Sequence, residues 1–143
     1  MDLVQATQTS DVIRIAGPPE DLPAAYGAAT AVVSAAIQLE GSPRSLLEAM
    51  AMARPVIASD LAAGPEVVLA PPAVAEDRIT GLRFPSADEG ELAAAVIKLL
   101  SASENVRLAI GRRSREHAIR QFSTSDTQGL LLGLYAEVAR PQP

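Results

Sequence analysis

Residues 31–60 read AVVSAAIQLEGSPRSLLEAMAMARPVIASD, and this stretch decides the fold. Ala31 to Ala36 is apolar almost throughout and contains the β-branched pair Val32-Val33. A continuous apolar run of this length is what a strand buried on both faces looks like, and such strands belong to parallel sheets. Ile37 to Gly41 makes a loop. Ser42-Pro43 is then a good N-cap and first-turn pair, which predicts a helix from about Pro43 to Ala53. Leu46, Leu47, Met50 and Ala51 fall on one face of that helix. Arg54-Pro55 ends it, and Val56-Ile57-Ala58-Ser59 is a second buried strand. Strand, helix and strand in this order make a crossover unit with parallel strands.

The same alternation extends both ways. Val12-Ile13-Arg14-Ile15 has the composition of a short strand, stopped by Ala16-Gly17-Pro18-Pro19. Glu20-Asp21-Leu22-Pro23 opens a helix that runs to about Ala29. Beyond Asp60, residues 61–64 form a loop and Pro65 starts a short helix, 66–69. Residues 70–80 are an irregular surface excursion. Gly81-Leu82-Arg83-Phe84 is a weak strand closed by Pro85. Ser86 and Glu89 have the spacing of a capping box, predicting a helix through Leu92, Val96, Leu99 and Leu100. A second helix starts at Ser103-Glu104, with Val106, Ile110 and Ala118 inward and Arg107, Arg112, Arg113 and Arg115 outward. His117 and the arginines of 112–115 read as a solvated face. A last helix, about 126–139, turns Leu130, Leu131, Leu134 and Tyr135 inward. The fold class is α/β: a Rossmann-like parallel sheet with flanking helices, as a single domain over 1–143 with C-terminal helices over about 87–139. Ligands of such sheets bind at the carboxyl ends of the strands. The loops at 36–43 and 60–65 are two such ends, so Asp60 and Glu66 flank the same region, Glu66 more as a helix-capping acid than as a ligand.

Bulk properties exclude several functions. The 143 residues suit one domain, and with 3% aromatic residues the core must be aliphatic, which favours helices on a sheet. There is no Cys, so disulfides and thiolate metal sites are excluded, and the single His argues against a zinc site. A net charge of −5 argues against nucleic acid as a partner. No apolar run reaches the length of a membrane span. The expectation is a cytoplasmic protein, with contact to the inner face of the membrane left open.

Chemistry concentrates at two carboxylates, Glu40 before the helix and Glu48 inside it. The helix mouth between them offers unpaired N–H groups and a partial positive charge, a ready phosphate site. Gly41 lets the backbone approach a ligand. Pro43 has no N–H, so Ser42, Arg44 and Ser45 are the expected amide donors. A carboxylate such as Glu48 can accept both protons of a sugar diol. The plainer reading makes Glu40 a solvated loop acid and Glu48 the i, i+4 partner of Arg44, worth a few tenths of a kcal/mol.

The context of these residues resembles the retaining glycosyltransferases of the GT-B fold, in particular the family 4 type. The segments that carry it are Asp21 to Tyr26, Glu40 to Ala51, Pro55 to Asp60, Pro65 to Val68 and Thr80 to Leu82, in that order, within a likeness running from Val12 to Ala139. The resemblance implies a nucleotide-sugar donor such as a UDP- or GDP-sugar, hexosyl transfer with retention and no metal cofactor. It implies that Glu40 is the catalytic residue beside the donor sugar in a Glu-x7-Glu motif, that Glu48 binds the ribose, and that Gly41, Ser42, Pro43, Arg44, Ser45 and Leu46 complete the donor site. Gly41-Ser42-Pro43 replaces the family's frequent Gly-Phe-Gly, and Arg44 is either a phosphate contact or a solvent-facing side chain.

The resemblance also implies a truncated C-terminal, donor-binding domain. The acceptor domain of a GT-B enzyme and the first two strands of the donor domain, with their Arg and Lys, precede the part matched here. The expectation is an unknown sugar or lipid-linked acceptor, a missing N-terminal domain from the same or a neighbouring gene, and no turnover by the chain alone. A non-catalytic nucleotide-binding remnant and a nucleotide-sugar epimerase are the rival readings.

Overall fold

The structure is a computed structural model that describes residues 3–38, 41, 43–61 and 64–139. It contains helices α1 (Leu3–Ala6), α2 (Leu22–Ala28), α3 (Arg44–Ala51), α4 (Gly64–Val67), α5 (Glu89–Ser101), α6 (Glu104–Gln121) and α7 (Thr124–Val138). The strands are β1 (Val32–Ser34), β2 (Val56–Ser59) and β3 (Gly81–Phe84), and a single 3₁₀ turn spans Glu76–Arg78. The three strands are parallel in the order β1-β2-β3, with Val33 opposite Ile57 and Ile57 opposite Leu82.

All four residues of β2 are buried because the central strand is covered on both faces. Val56 and Ala58 point to one side, where Leu46, Ala49 and Met50 of α3 pack with Val67 and Val68. Ile57 points to the other, against Leu82 and Phe84 of β3, Ala95 and Leu99 of α5 and Ile110 of α6. The apolar run of β2 therefore has the cause expected of it, two buried faces rather than one. Helix α6 joins both halves, since Ile110 enters one cluster and Ala118 the other. Gly111 makes this close approach possible: a Cβ there would collide with the carbonyl oxygen of Ala53. Ala53 itself ends α3 in a left-handed conformation, φ +55°, with Arg54 N–H donating back to the Ala49 carbonyl at 3.0 Å. That is the geometry a helix C-terminus usually gives to glycine.

The element order follows the sequence reading, with definite corrections. Residues 12–15 form no strand; Val12 and Ile15 are 74% and 80% exposed. A β-branched run becomes a strand only when another backbone takes its hydrogen bonds, and β1 ends the sheet without it. The sheet thus has three strands where four were expected, and β1 is shorter than the run 31–36. Helix α5 is capped by Asp88, not by Ser86: the Asp88 carboxylate accepts from Glu91 N–H at 2.9 Å. The Ser86 hydroxyl donates elsewhere, to the Ala36 carbonyl at 3.1 Å. Pro43 is the N-cap of α3 rather than its first helical residue, and it makes no side-chain cap. Ser42, the expected cap, lies outside the described residues.

The C-terminal helices depart further. Val106 is half exposed. Arg112 and Arg115 are exposed as expected, although Arg115 donates to the Ala51 carbonyl; Arg113 is half-buried, its Nε donating to the Ile79 carbonyl at 2.9 Å. Arg107 donates to the carbonyls of Leu100 and Ala102. These guanidinium groups satisfy carbonyls at helix and loop ends, which sequence charge alone does not reveal. Leu130, Leu131, Leu134 and Tyr135 of α7 do not turn inward; each is between 46% and 77% exposed. Helix α7 buries no residue. Among the described residues, no helix is long and apolar enough to cross a membrane.

Candidate functional site: the carboxyl ends of β1 and β2

Ser34 is the last residue of β1 and Ser59 the last of β2, and a small open pocket lies beyond them. Gly41, Pro43 and Leu46 wall it from the α3 side, and Leu61 and Gly64 from the other. Its shape is fixed by hydroxyls. Ser59 Oγ donates to the Ala36 carbonyl at 2.9 Å and Ser86 Oγ donates to the same oxygen. Two donors on one carbonyl tie the start of the loop after β1 to the ends of β2 and β3. Gly64 is needed at the opposite wall, where a Cβ would collide with the Ser59 carbonyl oxygen. Neither serine pair stood out in the sequence, because the acceptor they share is 23 and 50 residues away.

The mouth of α3 opens into this pocket. The Pro43 carbonyl accepts from the N–H groups of Leu46 and Leu47. By helix geometry the N–H groups of Arg44 and Ser45 then have no intrahelical acceptor. The helix has eight residues, so its end carries the partial positive charge of an aligned peptide stack. Leu46 is 1% exposed and plugs the floor of the pocket from the core. The Arg44 side chain is 89% exposed and points away into solvent.

Glu48 is placed differently. It does not wall the strand-end pocket but faces a second concavity, an open groove between α2 and α3 lined by Leu22, Pro23, Tyr26, Ala51 and Met52. From Pro43 it is five residues along the helix, roughly 7.5 Å along the axis. Its Oε2 accepts from the Tyr26 hydroxyl at 3.3 Å, and its Oε1 lies 3.8 Å from Arg44. The i, i+4 pair of the plainer reading therefore exists. With Arg44 so exposed it contributes little, since water competes for both charges. Burial, then the facing Glu48 charge, then the hydrogen bond to it hold the Tyr26 phenol above its ordinary value of 10, so it remains a donor at neutral pH.

Among the residues expected at the site, Gly41, Pro43 and Leu46 come together at the pocket, while Arg44 and Ser45 do not line it and Glu48 lines the separate groove between α2 and α3. Glu40 and Ser42 lie outside the described residues. Asp60 pairs with Arg83 at 3.4 Å at the end of β2, and Glu66 is exposed. His117 is not a solvated residue: its ring packs edge-on against Phe122 at 5.7 Å and meets the backbone of Glu66. Burial, opposed by that backbone contact, and then the nearby Arg120 charge, hold its pKa below 6.5. Among the described residues, no group of three or more His, Asp or Glu side chains is placed to hold a metal ion.

This arrangement can be set beside known proteins. The profile of the family described as glycosyl transferases group 1 matches residues 2–102, well over half of the chain. The chain belongs to that family. Its fold matches the C-terminal part of GT-B glycosyltransferases. Sucrose-phosphate synthase from Thermosynechococcus elongatus superposes with a TM-score of 0.83 at 27% identity, over 95% of this chain and 32% of that one. A glycosyltransferase from Rickettsia africae gives a TM-score of 0.86 at 23% identity, over 98% of this chain and 35% of that one. HepE from Anabaena, solved with UDP and glucose, gives 0.81 at 16% identity, over 94% and 34%. The chain thus spans about a third of the length of these solved relatives. No curated protein matches it by sequence.

Proposed function

We propose that this chain supplies the donor-binding part of a family 4 type, retaining glycosyltransferase that moves a hexosyl group from a nucleotide-sugar to an acceptor. The observation that carries the reading is the mouth of α3, open to the strand-end pocket, with Glu48 one turn further along the same helix. A diphosphate on the free N–H groups of Arg44 and Ser45 would leave a ribose diol within reach of Glu48, and the donor sugar beside Glu40. Gly41, Pro43 and Leu46 line the pocket around it, and this reading assigns Ser42 to the same donor site. The strand-end pocket is small and open to solvent, so most of a nucleotide-sugar would lie outside it, along the helix mouth and the neighbouring groove. Family membership supports this reading, as does the UDP in the Anabaena neighbour. In it the reaction needs no metal cofactor and runs in the cytoplasm, and a separate segment provides the acceptor side.

A second reading, a nucleotide-binding module without turnover, is favoured by one observation: no Arg or Lys lines the strand-end pocket among the described residues. Calorimetric titration of the chain with UDP and with GDP tests the site. One of them should bind with a clear preference over the other; binding of neither contradicts the assignment. Release of UDP or GDP from the corresponding sugar nucleotide then separates the transferase from the inert module.

A further inference from the structure

Tyr26 is the only residue of α2 that is not exposed, and it joins that helix to α3. Its ring packs against the cluster formed by Leu46, Met50 and Val56. Its hydroxyl, at the far end of the same side chain, meets Glu48 in the groove. A carboxylate has about four lone-pair positions. One of them, on Oε2, is taken by the phenol, and Oε1 faces only the loose contact to Arg44. The carboxylate is therefore held by one neutral donor that fixes its rotation while leaving acceptor positions on both oxygens open to the groove.

We propose that Tyr26 is a positioning residue of the donor site: its hydroxyl orients Glu48 so that both carboxylate oxygens meet the two ribose hydroxyls of a nucleoside diphosphate. This rests on the reading of Glu48 as the ribose ligand given above. At 3.3 Å the bond is longer than a strong charge-assisted one, so its removal acts through orientation and its effect is moderate.

The test is calorimetry on the full chain with whichever of UDP or GDP it prefers and with the matching 2′-deoxynucleotide. Wild type should favour the ribonucleotide by roughly tenfold or more, as expected for a hydrogen bond to a charged group. Tyr26→Phe keeps the ring in the core and removes only the hydroxyl. It should weaken the ribonucleotide about three- to tenfold, weaken the 2′-deoxynucleotide less because only its 3′-hydroxyl remains to be held, and so shrink the preference. In a Glu48→Gln background the same substitution should add nothing. Equal losses for both nucleotides in Tyr26→Phe, or no loss for either, would overturn the positioning role. A wild type that does not distinguish the two sugars, with Glu48→Gln binding as well as wild type, would instead remove Glu48 from the ribose. Absence of nucleotide binding by the wild-type chain would overturn both.

Discussion

Helices α3 and α7 look alike in sequence and differ completely in what they bury. Both carry apolar residues at helical spacing on one face. In α3 that face meets β2 and α6, and Leu46, Ala49 and Met50 are buried. In α7 the corresponding residues stay in solvent, Leu130 at 77% and Tyr135 at 67%. Periodicity says which face of a helix would be buried, but not that a surface exists to bury it. The helix that is packed is also the one whose end opens into the strand-end pocket.

The largest effect should come from breaking the packed side. Met50→Ala should cost about 2–5 kcal/mol in urea unfolding, because a buried side chain leaves a cavity in a tight cluster. Leu131→Ala in α7 should change stability by less than about 0.5 kcal/mol. Similar losses in the two variants would contradict the contrast. Gly64→Ala comes next: its Cβ meets the Ser59 carbonyl, so the pocket wall must shift, at about 1–3 kcal/mol. Nucleotide affinity should fall in parallel, while an affinity equal to wild type would show that this wall is not part of the site.

Two smaller effects sharpen the picture. His117 is held below its ordinary pKa, so the unfolded chain binds its proton more readily than the folded one. Its contribution is intact above about pH 6.5 and fades as the pH falls below that value. Urea midpoints for wild type should drop across this window more than those of His117→Gln, and parallel pH profiles would exclude burial as the cause. Ala53→Gly relieves a left-handed alanine at the end of α3, which costs about 1–2 kcal/mol, against a glycine entropy cost of about 0.5–1. A net gain of a few tenths to about 1 kcal/mol is expected in the same assay, and a loss would mean the strain is absent.

These cases also show what the sequence could reveal. The strands 56–59 and 81–84 and the helices after them were legible because apolar runs and helix-start residues leave their mark within a few residues, although the cap of α5 was read at Ser86 and is Asp88. The strand expected at 12–15 was not, since a strand depends on a neighbouring backbone that no local pattern encodes. Arg113 and His117 were misplaced for a related reason, and the carbonyl partner of the exposed Arg115 was missed. Their partners are carbonyls or backbone on other elements, which carry no side-chain signal. At the site, the helix mouth could be read from the sequence, but spacing alone left Glu48 as an i, i+4 partner of Arg44, and its donor role came from the resemblance. The Ser59 and Ser86 anchors on Ala36 and the Tyr26 hydroxyl could not be read. The one trace of Tyr26 was a large amphipathic residue in a helix otherwise rich in alanine.

The central claim is that the packed helix α3 presents a nucleoside diphosphate site while α7 does not. Amide chemical-shift mapping of the chain titrated with UDP, and with GDP, tests it most directly. The account predicts the largest shifts at Gly41, Arg44, Ser45, Ser59 and Gly64, with Glu48 and Tyr26 following and residues 124–138 unmoved. Shifts centred on α7, or none at the mouth of α3 at saturating nucleotide, would contradict it.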